Sequence, residues 1–117
     1  MKNEWGAELD RNGYAPSIVQ ADTSKCFLCQ RSGVKLDRHE IFGNAMRSKS
    51  KRMGLWVSLC NTPCHLTLAH GCAEVMDWLH QLGEQACIDN YDFTIPMFRD
   101  EFYTNYLEET DEGISGL

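Results

Sequence analysis

The chain has 117 residues, 43% hydrophobic and 24% charged, with a formal net charge of -6. That is the balance of one globular domain rather than a disordered segment, and no apolar run approaches the roughly 20 residues of a membrane span. The charge is uneven: residues 24–60 carry +6, residues 61–117 carry -10 and the first 23 residues -2. A uniformly basic chain would point to nucleic acid; this one sets a basic patch on an acidic body.

Residues 1–24 show no helical period. Asn12-Gly13 and Ala15-Pro16 mark turns. Ser17 to Gln20 suits a short strand or an arm laid on the domain, with Trp5 and Tyr14 as pins. Met1 to Gly6 lacks the build of a signal peptide. The expected setting is a reducing cytosol, where close cysteines hold metal rather than form disulfides.

The stretch from Cys26 to His70 organises the rest. It opens on Cys26-Phe27-Leu28-Cys29 and closes on Cys60-Asn61-Thr62-Pro63-Cys64-His65 and His70. A tetrahedral Zn²⁺ takes four soft or borderline ligands, and thiolates in short turns supply them. Residues 26–33 are predicted to form a zinc knuckle, with Gly33 at its exit. Cys60 and Cys64 are one residue further apart than in a CxxC, so His65 stands as an alternative to Cys64 as fourth ligand. Four thiolates around Zn²⁺ would add about -2 to this basic segment. Cys72 and Cys87 fall on or near helices and read as packed thiols.

Val34 to Ile41 alternates apolar and polar residues, predicting a half-buried strand. Gly43 to Gly54 reads as a loop bearing Arg47, Lys49, Lys51 and Arg52, too long for a tight hairpin. Leu55 to Leu59 alternates again and delivers Cys60 to the metal. From His65 the pattern turns helical, with Val75, Trp78, Leu79, Leu82 and Ala86 at spacings of three and four. Gly83 weakens that helix by about 1 kcal/mol relative to Ala and marks a bend or an end. After a break at Asn90-Tyr91-Asp92, Thr94 reads as an N-cap with Pro96 in the first turn. Phe98, Phe102, Tyr106 and Leu107 form an inward row, and His80 reads as a surface or half-buried residue. The predicted organisation is an N-terminal arm (1–24), a zinc-stapled core (25–72), a helical part (73–109) and an acidic tail (110–117).

Strand, long loop, strand and helix, with cysteines before and after, resemble the ββα-metal fold of HNH endonucleases. The closer resemblance is to small phage-encoded HNH-like proteins. It is carried by His39-Glu40-Ile41-Phe42-Gly43, Arg47-Ser48-Lys49-Ser50, Gly54-Leu55, Leu59-Cys60, Cys64-His65, His70-Gly71 and Asn105-Tyr106-Leu107. The fold class implied is α+β, an HNH-like core with a two-stranded antiparallel sheet followed by C-terminal helices. The resemblance supports Cys26, Cys29, Cys60 and Cys64 as the structural zinc site. It implies a second metal, Mg²⁺ or Mn²⁺, on His39 and His65 with His70 as a third ligand, and Glu40 in the general-base position. His39 equally suits a structural hydrogen-bonding role. The pattern departs from the family at Leu55 and Met46, where an Asn is usual.

Four cations in the 47–52 stretch suit contact with a polyanion or an acidic protein. No aromatic interleaving supports base readout. Two functions follow. The first is a phage- or mobile-element-type zinc protein that binds and inhibits a host nucleic-acid-processing machine, an anti-CRISPR inhibitor of a Cas effector being the concrete candidate. Its partner would be a host protein effector or its nucleic-acid complex in the bacterial cytoplasm, with no membrane involved. It is motivated by the departures, the net charge and the acidic second half. The alternative is an active HNH endonuclease nicking or cutting DNA, with DNA contacted through the basic loop. What separates them is whether His39, His65 and His70 converge.

Overall fold

Alternation in the two apolar stretches produces an antiparallel strand pair. β1 (Leu36–Glu40) runs beside β2 (Trp56–Cys60) in the register Leu36↔Cys60 to Glu40↔Trp56. The computed structural model describes residues 1–107. Over these the architecture is α+β: β1, α1 (Arg47–Arg52), β2, a wide helical segment Asn61–Ala69, α2 (Ala73–Tyr91) and α3 (Ile95–Phe102). The expected acidic tail and the last two residues of the expected helical part lie outside the described residues. No helix among the described residues is long and apolar enough to cross a membrane.

The period of two sorts the side chains of β1 to opposite sides. Arg38 and Glu40 meet Asp10 and Tyr14 of the N-terminal segment. Asp37 and His39 face the segment Asn61–Ala69, where Asp37 meets His65. β2 departs from expectation, since all five residues are buried rather than one face. The reason is the arm, which makes no strand there but crosses the second face. Trp56 Nε1 donates to the Ala15 carbonyl and Ser58 Oγ to the Thr23 carbonyl, both at 2.7 Å. The outer edge of β2 is closed in the same way. Gln20 Oε1 accepts the Ser58 N–H at 2.8 Å, Phe27 N–H donates to the Ser58 carbonyl at 2.8 Å, and Ser17 Oγ donates to the Trp56 carbonyl at 2.6 Å.

The stretch 43–54 is not the loop expected from its charge. It holds one 3₁₀ turn (Asn44–Met46) and the six-residue α1. Lys and Arg are good helix formers, and a single fully buried residue, Ser50, ties the turn down. Its hydroxyl donates to the Leu55 carbonyl at 2.6 Å and accepts the Phe42 N–H at 3.1 Å.

α2 runs unbroken through Gly83, which marks neither a bend nor an end. A Cβ there would lie 2.8 Å from the Phe42 ring, so the glycine admits Phe42 against the helix. Leu79, Ala86 and Cys87 are buried as the helical period requires, while Val75 and Leu82 are half-buried. Trp78, expected inside, is 45% exposed and stacks on Phe27 of the knuckle at 5.9 Å. Helix α2 ends at Asp92 in the left-handed region (φ 56). Thr94 Oγ1 then accepts the Met97 N–H at 3.2 Å, capping α3 as predicted. Phe98 and Phe102 close the core around Phe42, and Tyr106 packs at its edge. The pins of the arm also hold: Trp5 stacks on Tyr91 at 4.1 Å and Tyr14 meets Trp56 edge-on at 5.6 Å.

Candidate functional site

Four cysteines meet between the knuckle and the end of β2. The knuckle turns tightly because the Cys26 N–H donates to the Arg31 carbonyl and the Gln30 N–H to the Cys26 carbonyl, both at 2.8 Å. Cys60 ends β2, and an extended Thr62 (φ -139, ψ 130) takes up the extra residue before Cys64. The sulfurs of Cys26, Cys29, Cys60 and Cys64 then lie within 4.8 Å of one another. Those of Cys29 and Cys60 are 3.9 Å apart. A tetrahedron with Zn–S bonds of about 2.3 Å has edges of about 3.8 Å, so the set fits zinc. Backbone N–H donation at Arg31 brings the Cys29 thiol down to about 6, and the Arg31 guanidinium lies 3.8 Å from the Cys60 sulfur. The first favours the Cys29 thiolate, the form that binds metal, whereas burial and the neighbouring thiols push the Cys64 thiol up. Cys64 stands with the three other cysteines, and His65 is placed elsewhere.

His65 belongs to a second cluster. β1 supplies His39, the helical segment supplies His65, and His70 follows at its end. One ring nitrogen of each lies within 4.8 Å of the others. His65 Nδ1 is 3.0 Å from the Asp37 carboxylate, and its Nε2 is 3.1 Å from His70 Nε2. Zn–N bonds of about 2.0–2.1 Å give tetrahedral edges of about 3.3–3.4 Å, close to that separation. The arrangement has the form of a carboxylate orienting a metal-binding imidazole. His39 is 6% exposed, and burial, with the neighbouring His70 and His65, brings its pKa down to about 4. It is therefore neutral at pH 7 and offers a lone pair. Three imidazoles suit Zn²⁺, Ni²⁺ or Fe²⁺ better than Mg²⁺, which prefers oxygen.

A cavity of about 480 Å³ opens over the histidines. Glu40, Arg47, Asn44 and His80 border it together with His39, His65 and His70. No known family, curated protein or solved structure matches this chain.

The other expected residues are distributed as follows. Glu40 turns away from the histidines to accept hydrogen bonds from Tyr14 and Arg47, yet still borders the cavity. Of the four cations of α1, Arg47 alone is among the cavity-lining residues. Each of the four meets an internal partner: Arg47 pairs with Glu40 at 2.8 Å, Lys49 with Glu101 at 3.3 Å and Arg52 with Glu4 at 2.8 Å. Lys51 lies 5.0 Å over the Tyr14 ring. His80 is half-buried as expected, its ring packed between Phe42 and Tyr106.

Two residues of the site, Asp37 and Tyr14, are not among the site residues expected from the sequence. Asp37 was findable, because it sits two residues before His39 on an alternating strand and so shares its face. Tyr14 had no such signal, being 26 residues from Glu40 in sequence.

Proposed function

We propose that the protein is a divalent-metal-dependent phosphodiester hydrolase acting on nucleic acid, built on an HNH-like ββα scaffold with a structural zinc. The observation that carries the proposal is the convergence of His39, His65 and His70 beside a cavity bordered by Glu40 and Arg47. Three imidazoles, one of them oriented by a carboxylate, form a donor set suited to a metal rather than to core packing. A divalent ion bound there would act as a Lewis acid toward a phosphoryl oxygen.

The chain's own residues supply the rest. Asp37 fixes the ring of His65, and burial keeps His39 neutral. Glu40 borders the cavity with its two carboxylate oxygens held by Arg47 and Tyr14, and in this reading it takes the proton of the attacking water once Arg47 has turned to the substrate. Arg47, 62% exposed, can offer two N–H groups to two oxygens of a phosphate.

The test is nicking of supercoiled plasmid DNA with Mn²⁺, Ni²⁺, Zn²⁺ and Mg²⁺ in turn. Cleavage that falls by about 10²- to 10⁴-fold in His65→Ala and Glu40→Ala, with both variants folded, is the expected result. Inactivity of the wild type with every ion would overturn the proposal.

A second reading, an inhibitor of a host nucleic-acid-processing effector such as a Cas protein, is favoured by a different observation. All four α1 cations already have internal partners, so a polyanion must compete for them. Under that reading His39→Ala and Glu40→Ala leave inhibition intact, while loss of the cysteine-bound zinc abolishes it.

A further inference from the structure

The Glu40 carboxylate is held from two sides by unlike partners. Oε1 accepts from Arg47 Nε at 2.8 Å, and Oε2 accepts from the Tyr14 hydroxyl. The Arg47 side chain is 62% exposed and borders the cavity, whereas that of Glu40 is 10% exposed. Tyr14 is clamped within the fold. Its ring meets Trp56 edge-on at 5.6 Å, the Arg38 guanidinium lies over it at 4.3 Å, and its N–H donates to Asp10 at 3.0 Å.

We propose that Tyr14, a residue of the N-terminal arm, is a positioning residue that fixes the Glu40 carboxylate at the cavity wall while Arg47 exchanges it for a substrate phosphate. This rests on the hydrolase reading above. Arg47 is the solvent-exposed partner of this pair, so its guanidinium can turn from the carboxylate to a phosphate without leaving water. The tyrosine contact is the one that persists through that exchange. Burial, together with the Glu40 charge, raises the phenol to about 12, so it remains a donor at neutral pH. The two partners of one carboxylate should therefore leave different kinetic signatures. Arg47 acts on substrate binding, and Tyr14 on the orientation of the group that takes the proton.

The experiment is steady-state cleavage of plasmid DNA with whichever of the four ions supports wild-type activity. Tyr14→Phe keeps the ring contacts and loses the donor. It should lower kcat by about 10- to 100-fold, the scale of one hydrogen bond to a charged group, with KM changed less than about 2-fold. Arg47→Ala should instead raise KM. In a Glu40→Gln background, Tyr14→Phe should cost nothing further, which distinguishes positioning from a general loss of stability. A kcat unchanged by Tyr14→Phe, or a loss that persists in the Glu40→Gln background, would overturn the role of Tyr14 alone. An inactive wild type overturns the hydrolase reading and this inference with it.

Discussion

His65 Nδ1 lies 3.0 Å from Asp37 Oδ2, and this contact decides which nitrogen of His65 faces the other histidines. With Nδ1–H donated to the carboxylate, Nε2 keeps its lone pair and points toward His70 Nε2. Asp37 also accepts from Asn61, and both donors hold its carboxyl below the usual range. Asp37→Asn should therefore weaken metal binding at the histidines by about 10- to 100-fold. Titration with Co²⁺, followed by its visible absorption, would measure it. The cysteine-bound metal should be unaffected.

Metal content separates the two clusters. One zinc per chain should survive prolonged dialysis in both the wild type and His65→Ala, because four sulfurs within 4.8 Å of one another can close a tetrahedral site around one ion. Cys60→Ala should unfold the domain, since structural zinc contributes on the order of 10 kcal/mol to folds of this kind. Elemental analysis together with circular dichroism checks both statements. A folded protein free of zinc would contradict them.

Gly83→Ala poses two effects of opposite sign. Helix propensity favours alanine by about 1 kcal/mol. The added Cβ, however, would sit 2.8 Å from Phe42 Cε2 and 3.0 Å from Ile41 Cγ2, both on buried residues. Overpacking of this kind costs about 1–3 kcal/mol, so net destabilisation is expected in urea unfolding. Phe42→Leu should relieve part of the clash, making the double mutant less than additive.

The pH dependence follows from His39. Its folded-state pKa of about 4 lies below the ordinary histidine value of about 6.5. The unfolded chain therefore binds the proton first as pH falls. Stability of the metal-free protein is full above about 6.5 and declines between about 6.5 and 4, by up to about 3 kcal/mol from this residue. Urea midpoints across that window should fall with pH, and the slope should flatten in His39→Gln. Bound metal would steepen the decline, because protons then compete for the ligands.

Much of the candidate metal site was legible because spacing along the chain carried it. The two cysteine pairs, His39 on its strand and Thr94 as a cap depend on neighbours a few residues away, and each stands where local pattern put it. The failures share a different cause. β2 alternates like a half-buried strand, but the cover on its second face comes from residues 15–23. The α1 stretch has no apolar period because one serine anchors it. Trp78 fits the inward period of α2, yet the knuckle offers it Phe27 at the surface. The Tyr14–Glu40 contact likewise joins segments that no periodicity relates.

The contacts along the outer edge of β2 bear on how the protein can be handled. A two-stranded sheet ordinarily leaves open backbone that can recruit a strand from another molecule. Here Ser17 and Gln20 take that place with side chains, occupying the Trp56 carbonyl and the Ser58 N–H. A shortened protein beginning at residue 25 would keep every candidate metal ligand and still be a poor reagent. Its freed strand, all five residues of which are buried in the intact chain, would invite self-association and precipitation.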